Sequence, residues 1–220
     1  MSKITFFFAT MNAGKSLTLL TAYHNYKHKG VTPVLVKPEL DTRTNDITSR
    51  IGLHKNPDFV ISAWNDKTSP ADIDAIINAT VMNKYDYRRK PIELDEVQFF
   101  DKSFIHELCD KARKHSIDVL AFGLLKDFKN HLFSASAVWL EEADSYREIK
   151  TVCEKCGHKA SCNALQGRDG YMARDVFESK STLHTGDSEY HVYCSKHWHE
   201  LYDESKALYK NMVEAEERRS

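Results

Sequence analysis

Lys3-Ile4-Thr5-Phe6-Phe7-Phe8-Ala9-Thr10-Met11-Asn12-Ala13-Gly14-Lys15-Ser16 is the stretch on which the reading of this chain turns. Residues 3–8 are short, β-branched and aromatic, and predict a buried strand. Residues 10–16 are mostly small and predict a loop. From Lys15 to His28 the apolar residues Leu17, Leu19, Leu20, Ala22 and Tyr23 fit a helix, which Gly30 ends. A second strand is predicted over 33–36. Strand, loop, helix and strand in that order make a βαβ unit, which implies a parallel sheet with right-handed crossovers.

A loop between a strand and the helix it opens is where a phosphate-binding P-loop belongs. Backbone N–H groups at a helix N-terminus can wrap a polyphosphate. Lys15 adds a point charge, and the Ser16 hydroxyl is a Mg²⁺ ligand type. Ala9 stands where such loops usually carry their first glycine, and alanine can make the turn if its φ stays negative. The plainer alternative is a helix that merely begins with Gly-Lys-Ser.

Further along, residues 38–58 are polar and read as a long loop, and residues 70–82 as a helix. Residues 84–90 are basic and read as a solvated connection. Residues 91–94 form a short strand, less apolar than a central strand should be, running into Asp95-Glu96. A helix over 101–115 and a strand over 117–122 follow, and the α/β region closes near 150. Asp95 at the strand end would hold Mg²⁺ through water. Glu96, the next residue on extended backbone, would face the other way and reach an acceptor hydroxyl as general base. Asp-Glu pairs also occur as ordinary surface features.

The 220 residues carry 41% hydrophobic and 29% charged side chains, enough for a sizeable core in a globular protein. The net charge of −1 gives no overall field for nucleic acid, so no polynucleotide partner is expected. No run approaches the roughly 18 apolar residues of a membrane span, and no signal-peptide pattern is present. The chain is expected in the cytosol, without a membrane partner. In a reducing compartment the five cysteines suggest metal ligation over disulfides, with Cys109 packed in an amphipathic helix.

Cys153-Glu154-Lys155-Cys156 and Cys194-Ser195-Lys196-His197 are two pairs with two-residue spacers. Together Cys153, Cys156, Cys194 and His197 give the S₃N set of a closed structural Zn²⁺ site. Cys162, His158, His191 and His199 lie nearby, but their spacing is less suitable. The expected fold is therefore α/β: a P-loop domain with a central, mostly parallel sheet flanked by helices, plus a small zinc-bound loop domain. Its parts are residues 1–150, a zinc-clipped region at 151–200, and a charged helical tail at 201–220. From the residues alone three readings stay open: a nucleotide-dependent transferase, a nucleotide-hydrolysing switch and a non-catalytic zinc-binding interaction module.

The ordered set Met11-Asn12-Ala13-Gly14-Lys15-Ser16, Asp41-Thr42-Arg43, Ser49-Arg50-Ile51-Gly52-Leu53, Asp95-Glu96-Val97-Gln98-Phe99-Phe100 and Gly123-Leu124-Leu125-Lys126-Asp127-Phe128 resembles the type II thymidine kinases. The likeness continues through Phe133, Cys153-x-x-Cys156-Gly157 and Tyr190-x-x-x-Cys194-x-x-His197, and spans roughly residues 3–200. It implies phosphoryl transfer from ATP to the 5′-hydroxyl of thymidine. It implies ATP contacts at Ala9, Thr10, Met11, Asn12, Ala13, Gly14, Lys15, Ser16, Asp95, Glu96, Val97 and Gln98. Lys15, Ser16, Asp41, Arg43 and Asp95 would surround the phosphates and Mg²⁺, and Glu96 would be the catalytic base. Met11, Leu124, Phe128, Phe133, Phe100 and Tyr190 would receive thymidine, although by spacing alone these apolar residues read as core. The resemblance further implies a homotetramer, with the loop clipped by zinc lying over the nucleoside as a lasso. Two departures from the family pattern stand out, Thr185 before Gly186 and Lys129-Asn130 after Asp-Phe.

Overall fold

A computed structural model describes residues 2–39, 46–62, 70–83, 86–178 and 189–218. The chain divides into two compact units. The first comprises Met1–Ala9, Gly14–Leu125 and Phe133–Ile149, and the second Thr10–Ala13, Lys126–Leu132 and Lys150–Ser220.

In the first unit the elements run β1 (Ile4–Ala9), α1 (Lys15–His28), β2 (Val34–Pro38), β3 (Ile47–Thr48), β4 (His54–Lys55), β5 (Phe59–Ile61) and α2 (Pro70–Ala79). Next come β6 (Val81–Asn83), β7 (Asp86–Arg89), β8 (Ile92–Leu94), α3 (Lys102–Lys114), β9 (Val119–Leu124), α4 (Ser134–Glu142) and β10 (Ser145–Ile149). Six strands form one sheet in the order β10-β1-β9-β8-β2-β5, parallel at every pairing. Both faces are covered, as a parallel sheet requires. One face buries Phe6, Ile92, Leu94, Phe104, Leu108 and Trp139; the other buries Leu19, Leu20, Tyr23, Leu35 and Phe122. Cys109 is fully buried in the first of these clusters, as its helical position predicts.

The expected β1, α1, β2, α2, β8, α3 and β9 form, within a few residues of their predicted ends. Residues 84–90, expected as a bare connection, contribute β7, which pairs antiparallel with β6. Charge density hides a strand whose ladder is local. No expectation covers 134–149, where α4 and the sheet-edge strand β10 form. The sequence Ser145-Tyr-Arg-Glu-Ile lacks an apolar run because an edge strand has one exposed side.

The low apolarity of 91–94 has a structural counterpart. Glu93 is fully buried in central β8, beside Leu35 and Leu120 in register, and neither carboxylate oxygen has a hydrogen-bond partner among the described residues. Burial pushes its carboxyl up to about 8 from the ordinary 4.5. Because the folded form holds the proton more tightly than the unfolded chain, stability is fully present below about 4.5 and falls as pH rises toward about 8. The loss is on the order of 4 kcal/mol. Glu93→Met is therefore expected to raise the unfolding free energy by several kcal/mol at about pH 8 and by much less at about pH 5. Denaturant melts at the two pH values test this, and equal gains would refute it.

The second unit carries β11 (Cys162–Gln166), α5 (Asp175–Glu178), β12 (Glu189–Tyr193) and α6 (Ser195–Glu217). β11 and β12 pair antiparallel, and all five β11 residues are buried. A strand covered on both faces shows no alternation, so the sequence read as irregular there. Its core contains Phe128, Cys162, Leu165, Met172, Tyr193, Trp198 and Leu201. No described helix is long and apolar enough to cross a membrane.

Candidate active and metal sites

In the first unit, the carboxyl end of β1 leads toward α1, whose N-cap Gly14 adopts φ 82 with no side-chain cap and no acid in the first turn. Among the described residues the first amides of α1 thus have no side-chain cap, the arrangement that suits an anion. Ala9 ends β1 and is not among the described residues with positive φ, so alanine is tolerated there. Lys15 is buried, and Ser16 Oγ donates to Asp95 Oδ2 at 3.2 Å. The two segments expected to meet therefore do so within one unit.

Glu96 departs from the extended backbone expected of it. The strand stops at Leu94, and Glu96 takes φ 48, ψ 45 ahead of a 3₁₀ turn over Val97–Phe99. A left-handed glutamate costs roughly 1–2 kcal/mol, so surrounding bonds must hold it. Asp95 Oδ1 accepts the Glu96 N–H at 3.0 Å. Gln98 Nε2 donates to Glu96 Oε2 at 2.6 Å, while Gln98 Oε1 accepts the Leu124 N–H at 2.9 Å. Gln98 thus fixes the Glu96 carboxylate against the end of β9. Trp139 Nε1 donates to the Val97 carbonyl at 3.3 Å, and Ser136 Oγ to the Leu124 carbonyl at 2.6 Å. Sequence reading missed these two supports, since a serine and a tryptophan on a helix carry no motif.

Leu124 and Phe133 are nearly buried in this unit, and Phe133 meets Phe99 edge-on at 6.1 Å. Phe100 stacks on Phe104 at 4.9 Å within the core. Asp41, Arg43 and the Thr185-Gly186 pair lie outside the described residues.

In the second unit, Phe128 and Tyr190 bring their rings to 6.2 Å. Cys153, Cys156, Cys194 and His197 offer ligand atoms that all lie within 4.8 Å of one another, a group that could hold a metal ion. The spacings test the fit. Cys153 Sγ and Cys194 Sγ are each 3.4 Å from His197 Nδ1, and Cys156 Sγ is 3.9 Å from Cys194 Sγ. A tetrahedron with Zn–S of about 2.3 Å and Zn–N of about 2.0–2.1 Å has edges of about 3.8 Å (S–S) and 3.5 Å (S–N). The donor set fits zinc, with His197 turned to ligate through Nδ1. Gly157 supplies the φ of 70 that turns the Cys-x-x-Cys knuckle, and Cys194 caps α6 so that His197 sits in its first turn. Burial opposes ionisation of Cys153. Hydrogen bonds from the Cys194 backbone, the His197 ring and the Lys155 and Cys156 amides outweigh it and lower the thiol to about 6. Cys162, His158, His191 and His199 are not in the group, although His158 Nδ1 lies 3.3 Å from Cys156 Sγ.

The model of the thymidine kinase family matches residues 2–198. The chain belongs to the thymidine kinase family. The thymidine kinase of Enterobacteria phage T4 is 34% identical over 206 residues, covering 91% of this chain and 97% of the phage protein. That of Ruegeria pomeroyi is 35% identical over 205 residues, covering 91% and 95%. That of Rhodopirellula baltica is 32% identical over 202 residues, covering 91% and 89%.

Within the thymidine kinase family pattern, the Lys129-Asn130 departure has a local solution. Asn130 adopts φ 65, where glycine is usual and asparagine is the next best residue. Asp127 Oδ1 accepts the Lys129 and His131 N–H groups, and Lys126 Nζ donates to Asn130 Oδ1 at 3.0 Å. These bonds hold the turn around the left-handed Asn130.

Proposed function

We propose that this thymidine kinase family member moves the γ-phosphoryl group of ATP to the 5′-hydroxyl of thymidine, giving dTMP and ADP. The carrying observation is the bonded series Ser16, Asp95, Glu96 and Gln98 at the carboxyl ends of β1 and β8. It supports a phosphate and Mg²⁺ site beside a positioned carboxylate. Residues Ala9–Ser16 act as a P-loop in which the amides at the start of α1 hold the phosphates. Lys15 supplies charge to the phosphoryl group, because a buried ammonium needs an anion for partner. Ser16 and Asp95 would hold Mg²⁺, which when bound neutralises phosphate charge. Asp41 and Arg43 complete this set in the proposal.

Glu96 takes the proton from the 5′-hydroxyl as the O5′–P bond forms and the bond to the ADP oxygen breaks. Because the transition state is loose, positioning and charge contribute more than the base. Thymine is received by Met11, Leu124, Phe128, Phe133 and Tyr190, with Phe100 behind them. Zn²⁺ held by Cys153, Cys156, Cys194 and His197 fixes the ends of the lasso. In this reading residues 1–150 serve nucleotide binding, 151–200 the zinc-clipped lasso and 201–220 a helical tail. The working protein is a cytoplasmic homotetramer. Transfer of label from γ-labelled ATP to thymidine tests the function; ATP hydrolysis without labelled dTMP would refute it.

Gly123 gives an indirect test of the carboxylate arrangement. A Cβ there would lie 2.6 Å from Val97 Cγ2 and 2.9 Å from Gln98 Oε1. Gly123→Ala is expected to push Gln98 away from Glu96 and lower kcat about tenfold or more, with circular dichroism unchanged. Wild-type kcat in this variant would dismiss the Gln98 role.

A further inference from the structure

One buried side chain outside every motif gathers three distant stretches of the second unit. Asn163 lies on β11 and is 2% exposed. Its Oδ1 accepts the Met11 N–H at 2.8 Å, and its Nδ2 donates to the Lys126 carbonyl at 2.7 Å. Its own carbonyl accepts Trp198 Nε1–H at 2.8 Å, and Trp198 follows the ligand-type residue His197 on α6. A carboxamide is the neutral side chain that offers an acceptor and a donor on one short planar group. An ionised aspartate accepts only, and a leucine of similar size does neither.

What these bonds hold matters. Met11 is followed by two left-handed residues within three positions, Asn12 at φ 61 and Gly14 at φ 82. Such a turn aims successive amides inward only if the chain entering it is fixed. Lys126 opens the stretch that contains Phe128 and the Asp127-organised turn. Neither backbone group has an element of regular structure to satisfy it at these atoms, so the Asn163 amide supplies what a strand ladder would.

We propose that Asn163 is a positioning residue, which sets the backbone entering the phosphate loop and the backbone entering the nucleoside-contacting loop from one point on the metal-clamped hairpin. The inference rests on the functional reading above. It adds that the two substrate-contacting stretches are pre-set together by β11, before either substrate arrives, so that ordering them is not charged against binding.

Two variants of the full-length, zinc-loaded chain test this, each followed by amide hydrogen exchange, zinc content and steady-state kinetics. Asn163→Leu removes both bonds. The expected result is at least tenfold faster exchange in peptides containing Met11, wild-type zinc content, and KM raised about tenfold or more for both ATP and thymidine. Asn163→Asp keeps the acceptor for Met11 and loses the donor to Lys126. Here exchange at Met11 should stay slow, exchange across 126–132 should quicken, and KM should rise for thymidine well beyond any change for ATP. A general loss of stability would move both stretches and both KM values together, and that outcome in Asn163→Asp overturns the proposal. So does unchanged Met11 exchange in Asn163→Leu. Should Asn163→Leu lose its zinc, Asn163→Asp alone decides. The exchange readout is independent of turnover. A wild-type chain that fails to label thymidine therefore rejects the kinase reading, whereas unaltered exchange rejects the role of Asn163.

Discussion

Glu96→Gln is expected to reduce kcat for thymidine phosphorylation by about 100-fold or more, with KM for ATP and thymidine changed little. The substitution is nearly isosteric. A glutamine at 96 still offers an oxygen to the Gln98 amide, which lies 2.6 Å from the present carboxylate. The Asp95 Oδ1 bond to the backbone N–H is untouched, so the left-handed turn persists. What disappears is the capacity to accept a proton. The loose transition state keeps the expected loss toward the lower end of the range for general bases, roughly 10²–10⁴. Steady-state kinetics, with ATP-induced thermal stabilisation as a control for binding, checks the result. Retained kcat would remove Glu96 from the base role while leaving the phosphate site standing.

Removing zinc is expected to have the other large effect. The second unit has a small core, built around Phe128, Leu165, Tyr193 and Trp198 and roofed by two short strands. Structural zinc contributes about 10–16 kcal/mol in small zinc-dependent folds, comparable to or above the entire stability of an ordinary domain, about 5–15 kcal/mol. Chelation, or Cys194→Ser, should therefore abolish the unfolding transition of this unit and eliminate measurable phosphorylation. Calorimetry with metal analysis tests it. Acid should release the zinc, because protons compete with the metal for the thiolates and for the His197 ring. A unit that keeps its transition after complete zinc removal would show that its apolar core suffices.

The parts legible in the sequence were those whose cause lies within a few residues. β1 and α1 follow from a run of aromatic and β-branched residues, a small-residue loop and a 3.6-residue apolar period. The metal group follows from two-residue spacers, since a knuckle that short can turn only onto one ion. Asp95 at a strand end beside Ser16 needed the βαβ topology, which is itself nearly forced by handedness.

Other features exist only because remote segments meet. The left-handed backbone of Glu96 is held by Gln98 and Leu124, and no local preference would select it. Glu93 reads as a flaw in a strand until the sheet order puts β8 between β9 and β2 and covers both faces. Asn163 and Met11 stand 152 positions apart, yet share a 2.8 Å hydrogen bond. By itself the sequence determined the βαβ start, the ligand spacing and the family. Tertiary structure alone decided which carboxylate is braced, which is buried without a partner, and which amide spans two loops. Propensity and spacing act along a few residues of chain, whereas a buried polar group takes its meaning from whatever folding brings within hydrogen-bond reach.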